Sequence, residues 1–145
     1  MSRTVNICMF ISESNRIEGI MREPSRAELE ITEWFLDIKP LTVAHIEQLV
    51  DVYEPGAKLR RKHGMDVIVG MHVPPRGGPG IEESLRQLLS AGLSPYATHL
   101  AYEHLHPFMD GNGRSGRALW LRQMGGDVPL GFLHTFYYQT LAAFQ

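Results

Sequence analysis

The chain has 145 residues, 43% of them hydrophobic and 21% charged, with a formal net charge of −2 and one cysteine. That length supports one domain with a single core and is too short for two ordinary ones. The charge balance argues against nucleic acid as the main partner, the lone cysteine excludes an intrachain disulfide framework, and no targeting or membrane-spanning segment is legible.

Val5 to Ile11 is apolar but broken by Asn6 and far too short to cross a bilayer. In Ser14-Asn15-Arg16-Ile17-Glu18-Gly19 the local reading is a helix cap at Ser14, a solvated Glu18 and a glycine stop. Ser25-Arg26-Ala27-Glu28 forms a capping box, followed at helical spacing by inward Ala27, Ile31, Trp34, Phe35 and Ile38, until Pro40 stops the helix. Thr42 caps a second helix that turns Val43, Ile46, Leu49, Val50 and Tyr53 inward and ends at Pro55-Gly56.

Lys58-Leu59-Arg60-Arg61-Lys62 reads as a solvated basic face. Beyond it, the β-branched residues of Asp66–Pro75, with a central Gly70 and terminal prolines, predict a short β-hairpin in an otherwise mainly α chain. The tract from Pro74 to Gly80 is a loop, and Ile81, Leu85, Leu88 and Leu89 line one side of the next helix. Ser94-Pro95 caps the helix that leads to His106. Ala118, Leu119, Trp120 and Leu121 mark a nearly buried helix starting near Gly113, and Leu133, Phe136, Tyr137, Leu141 and Phe144 mark a last one.

The densest chemistry lies in His106-Pro107-Phe108-Met109-Asp110-Gly111-Asn112-Gly113-Arg114-Ser115-Gly116-Arg117. Pro107 ends the preceding helix, which leaves His106 presented at a helix-to-loop junction. Gly111 and Gly113 permit positive φ, so successive N–H groups can form an anion-binding nest ahead of a new helix. Arg114 and Arg117 share that helix's first turn, where cations oppose the macrodipole by roughly 0.3–1 kcal/mol each unless an anion is near. Asp110 adds an oxygen suited to Mg²⁺ alongside substrate phosphates. A metal cluster built on His99, Glu103, His104, His106 and Asp110 is a weaker reading, because His104 and His106 point in different directions on a helix and no His-Glu-x-x-His spacing occurs.

This run resembles the Fic family signature, His-x-Phe-x-Asp/Glu-Gly-Asn-Gly-Arg-x-x-Arg, at every defined position from 106 to 117. The resemblance implies one Fic-like helical bundle over residues 1–145, with a hairpin flap over 65–75. It also implies a protein adenylyltransferase that moves AMP from ATP, with Mg²⁺, to a Ser, Thr or Tyr hydroxyl of a target protein or of itself. His106 resembles the general base and Asp110 the Mg²⁺ ligand. Gly111, Asn112 and Gly113 match the phosphate-holding segment, while Arg114 and Arg117 match the arginines on the phosphate tail. Phe108 would anchor the loop.

Ser14 to Gly19 is similar to the family's Ser/Thr-x-x-x-Glu-Gly/Asn inhibitory motif. That match implies an inhibitory helix over 12–22 in which Ser14 and Glu18 act, Glu18 pairing with Arg117 in a bidentate fork. Val69, Gly70, Met71 and His72 resemble the part of the flap that docks a target segment by main-chain pairing. Tyr138 is a loose match for an adenine contact. The same reading expects a cytoplasmic protein, without excluding secretion as an effector, and leaves homo-oligomerisation open. AMP removal, phosphate transfer and a non-catalytic binding module are the rival functions; the phosphate-transfer branch resembles a variant with Lys where this chain has Gly113.

Overall fold

A computed structural model describes residues 3–126. They form α1 (Arg3–Ile17), α2 (Arg26–Asp37), α3 (Val43–Tyr53), α4 (Pro79–Ser90), α5 (Pro95–Leu105) and α6 (Asn112–Gln123). Ser25, Thr42 and Ser94 each cap their helix by accepting a backbone N–H, as their positions in the sequence predict. The last expected helix, Tyr138 with it, lies outside the described residues.

The bundle is organised around α6, which packs against α1, α2, α3 and α5 and is buried from Ser115 through Leu121. Ala118 and Leu119 enter the main core with Phe35, Ile46, Leu49 and Tyr102, while Trp120 and Leu121 meet Ile7, Phe10 and Ile11 of α1. An apolar run of this kind is what a helix enclosed on several sides requires.

Two expectations near the N-terminus are corrected. The N-terminal helix is longer than a 12–22 segment at its start and shorter at its end: it runs from Arg3 to Ile17. It closes by Ile20 N–H to Asn15 O at 2.9 Å and Gly19 N–H to Arg16 O at 2.9 Å. Gly19 has φ 78°, so this is a Schellman stop that leaves Glu18 as the C-cap residue.

On α2, Ala27 faces solvent while Glu28, 1% exposed, is buried. Burial alone would raise the Glu28 pKa, but bonds from Arg22, the Ser25 backbone and side chain, and Asn15 outweigh it and bring it down to about 2. The Asn15 amide donates to Glu28 at 3.0 Å, so this carboxylate ties α2 to the end of α1. Polar satisfaction overrides the apolar stripe here.

The β-hairpin is also corrected. Within 65–75 the pairing is one isolated bridge, Val69 to His72, with reciprocal N–H···O bonds of 2.9 Å around Gly70 at φ 59°. Extending it would next require a hydrogen-bonded pair between residues 67 and 74, and Pro74 has no N–H to donate. The segment is a tight turn on two extended arms. Ile68 and Val73 are exposed, and Met71 is 91% exposed.

Candidate functional site

His106 is the C-cap of α5, held at φ 49° and ψ 62°, the left-handed region that a non-glycine residue adopts at a cost of about 1–2 kcal/mol. Pro107 behind it cannot continue the helix. The His106 N–H donates to Tyr102 O at 2.9 Å. The imidazole lines a cleft of roughly 400 Å³ together with Glu18, Ile20, Glu54, Met109 and the 110–114 segment. Burial, the Arg60 charge and His72 lower its pKa, while the Glu103 backbone carbonyl and Asp110 act in the opposite direction. Its Nδ1 is buried and forms no hydrogen bond among the described residues.

Together with His106, the N-terminus of α6 lines this cleft, with no side-chain cap. Such a terminus directs N–H groups and the positive end of the helix dipole at an anion. Gly111, at φ 79°, makes the turn into it. Gly113 lies inside α6, so its glycine identity answers to space instead of φ: a Cβ there would collide with the Glu18 carboxylate. The Asn112 side chain is committed to Phe108, accepting its N–H at 2.9 Å and donating to its carbonyl at 2.8 Å. Only the Asn112 backbone is therefore left for phosphate. Phe108 is fully buried, the anchor the sequence predicts.

One Asp110 oxygen accepts the Gly111 N–H at 2.7 Å, and the other is left for a hard cation at the cleft. A single carboxylate beside an anion nest fits Mg²⁺ bound through a nucleotide's phosphates, since that ion takes few protein ligands. Among the described residues no group of three or more His, Cys, Asp or Glu side chains is arranged to hold a metal. The histidines diverge: His99 Nδ1 donates to Gly116 O at 3.0 Å, and His104 stacks on His72 with ring centroids 5.2 Å apart.

Both arginines are already engaged. Arg117 donates from Nε to Ser14 Oγ at 2.8 Å, and from Nη2 to Ser14 O at 3.1 Å and Glu18 Oε1 at 2.8 Å. The expected bidentate fork with Glu18 is thus a single bond, because Ser14 takes the Nε edge. Arg114, buried over the Tyr53 ring, donates from Nη2 to Glu54 Oε2 at 2.8 Å. Glu54 caps the C-terminus of α3, and no sequence motif singled it out.

Beneath Arg117 lies Glu103, packed against Gly116, with Oε1 buried and unpaired. Burial pushes its carboxyl up to about 8, with Arg117 pulling it down and Glu18 pushing it up. Burial likewise lowers the neighbouring His99 to about 4. Both shifts favour the uncharged forms, and the two side chains approach to 3.8 Å.

Sequence reasoning also misplaced Arg60. It is 0% exposed, not part of a solvated face, because residues 58–60 pair with 107–109 behind the loop that joins α5 to α6. From the turn segment, His72 Nε2 donates to the His104 carbonyl at 2.8 Å, which docks Val69–His72 beside the end of α5.

A profile of the Fic/DOC family matches residues 33–124, so Ser14 and Glu18 precede the matched span. The chain is 36% identical over 105 residues to a protein from Drosophila willistoni named "Protein adenylyltransferase Fic", an alignment covering 63% of this chain and 19% of that protein. A protein of the same name from Drosophila mojavensis is 36% identical over 125 residues, covering 75% of this chain and 24% of the relative. The Drosophila yakuba counterpart is 40% identical over 98 residues, covering 58% and 19%. The chain thus spans a quarter or less of these relatives' length.

Proposed function

The chain belongs to the Fic/DOC family, and from that premise we propose that it transfers AMP from ATP to a Ser, Thr or Tyr hydroxyl of a protein, itself included, under restraint by Glu18. The observation that carries this reading is the confrontation of His106 with the uncapped N-terminus of α6 and Arg114 across one cleft. The relatives' shared name, adenylyltransferase, supports the same reaction class. A cytoplasmic location belongs to this reading; no described helix is long and apolar enough to cross a membrane.

In this mechanism the acceptor oxygen attacks the α-phosphorus, the bond from that phosphorus to the bridging oxygen breaks, and pyrophosphate leaves. His106 Nε2 takes the hydroxyl proton, a task for which its lowered pKa keeps it unprotonated near neutral pH. N–H groups at the start of α6 receive the α- and β-phosphates, and Arg114 clamps the phosphate tail. Asp110 would hold Mg²⁺ together with those phosphates, and the bound cation supplies charge neutralisation on the departing pyrophosphate. Arg117 would meet the γ-phosphate, but Glu18 and Ser14 occupy its donors. ATP can then enter only in a displaced pose, and the in-line geometry is lost.

Incubating the purified chain and its Glu18→Gly form with lysate proteins and ATP labelled at either the α- or the γ-phosphate tests the proposal. Protein-bound α-label is expected, stronger with Glu18→Gly. Retention of γ-label alone would replace AMP transfer with phosphate transfer. A second reading, AMP removal, draws on Glu18 lining the cleft beside His106, where a carboxylate could orient water. Loss of AMP from a pre-modified protein, abolished by Glu18→Gly, would favour it.

A further inference from the structure

Arg60 is a fully buried cation with no carboxylate in contact among the described residues, and burial lowers its pKa while Asp66 acts at a distance to raise it. An uncompensated buried charge is costly, so its hydrogen bonds carry the explanation. Nε donates to His106 O at 2.7 Å and Nη2 to Leu105 O at 2.9 Å. Nη1 donates to Met65 O at 3.0 Å and Pro75 O at 2.8 Å. Its own N–H reaches Pro107 O at 2.9 Å.

The acceptors fall into two groups. Leu105 and His106 are the terminal carbonyls of α5, the negative end of that helix dipole. Met65 and Pro75 are the two roots of the arms that carry the Val69–His72 turn. With a single bridge inside that segment, this guanidinium ties its arms together at their base, beside the Gly77 N–H that Asp66 Oδ1 accepts at 2.8 Å. The planar fork of Arg suits such divergent carbonyls, whereas Lys offers a single point of donation.

We propose that Arg60 is a positioning residue for the transfer step: it sets the spacing between the His106 backbone and the 65–75 turn, so that the base and a hydroxyl presented along the turn meet in one register. The inference rests on the transfer reading above and adds to it a residue that touches neither nucleotide nor acceptor. Arg60 acts through the strained His106 backbone on one side and the turn's roots on the other.

The test compares Arg60→Met and Arg60→Lys in the Glu18→Gly chain. Calorimetry reads Mg-ATP affinity, α-label incorporation reads transfer, and amide hydrogen exchange reads the 65–75 segment. For Arg60→Met, transfer is expected to fall about 100-fold, the loss a 1 Å misplacement can cause, while Mg-ATP affinity holds. Exchange should rise in 65–75 and at His106 but not in α2 or α3. Arg60→Lys should recover part of the transfer rate and part of the protection. Should the methionine variant fail to fold, the lysine variant decides alone: reduced transfer with unchanged affinity supports the proposal. Affinity falling in step with transfer, or transfer and exchange matching the parent, overturns it. No α-label incorporation by the Glu18→Gly parent with Arg60 intact would instead defeat the transfer reading.

Discussion

Arg114, the first arginine of the signature, donates to Glu54 at 2.8 Å across the mouth of the cleft. Arg114 is buried, whereas the Glu54 side chain is 41% exposed, so the pair sits at the border of solvent. Under the proposed function, nucleotide phosphates would compete with this carboxylate for the guanidinium. Half-exposed ion pairs are worth about 0.2–1 kcal/mol, so Glu54→Gln should tighten Mg-ATP binding by roughly 1.4- to fivefold. Calorimetry checks this, and weaker binding would instead make Glu54 a nucleotide partner.

Glu18→Gly removes one charge-assisted bond to Arg117 and is expected to raise AMP transfer by at least about tenfold. Ser14→Ala removes the Nε partner and should raise it less, because the Ser14 carbonyl still accepts from Nη2. Initial rates with α-labelled ATP measure both. A Ser14→Ala effect exceeding that of Glu18→Gly would shift the restraint onto Ser14.

His106→Ala should lower transfer by about 10²–10⁴-fold, the usual contribution of a general base. Burial holds the His106 imidazole below its ordinary value of 6.5. The unprotonated base therefore persists to lower pH, and kcat/KM should stay flat through neutrality and fall only on the acid side of 6.5. An acid limb above that value, measured with the Glu18→Gly form, would contradict the assignment.

Glu103 titrates near 8 in the fold, against an ordinary value of 4.5. Its neutral form is the one the fold accommodates, so its contribution to stability is complete below about 4.5 and is lost as pH rises through about 8. Glu103→Gln retains the shape without the charge. Thermal unfolding should show the native chain losing more stability than this variant between about pH 4.5 and 8, and levelling off above. Parallel pH profiles would show that Glu103 ionises without cost.

Legibility in the sequence followed the range of each interaction. The starts of α2, α3 and α5 were readable from Ser25, Thr42 and Ser94 because caps act over three residues. The signature stretch was readable for the same reason: His106, Asp110 and the start of α6 lie within one loop and one helical turn. Arg60 and Glu54 were not, since Arg60 meets His106 across 46 positions and Glu54 meets Arg114 across 60. Arg60 sits in a basic run, and nothing in that run distinguishes the buried member from exposed Lys58 and Lys62.

Residue identity alone determined the order of helices, the helix-to-loop step at His106 and the chemical kinds of group in the cleft. Pairing belonged to the fold: which carboxylate holds which arginine, what a Cβ at Gly113 would meet, and why 65–75 stops at one bridge. Capping, helix breaking and glycine conformations are decided by near neighbours along the chain. Burying a charge or filling a guanidinium's donors depends instead on atoms brought together only when α1, α3, α5 and α6 pack around a common core.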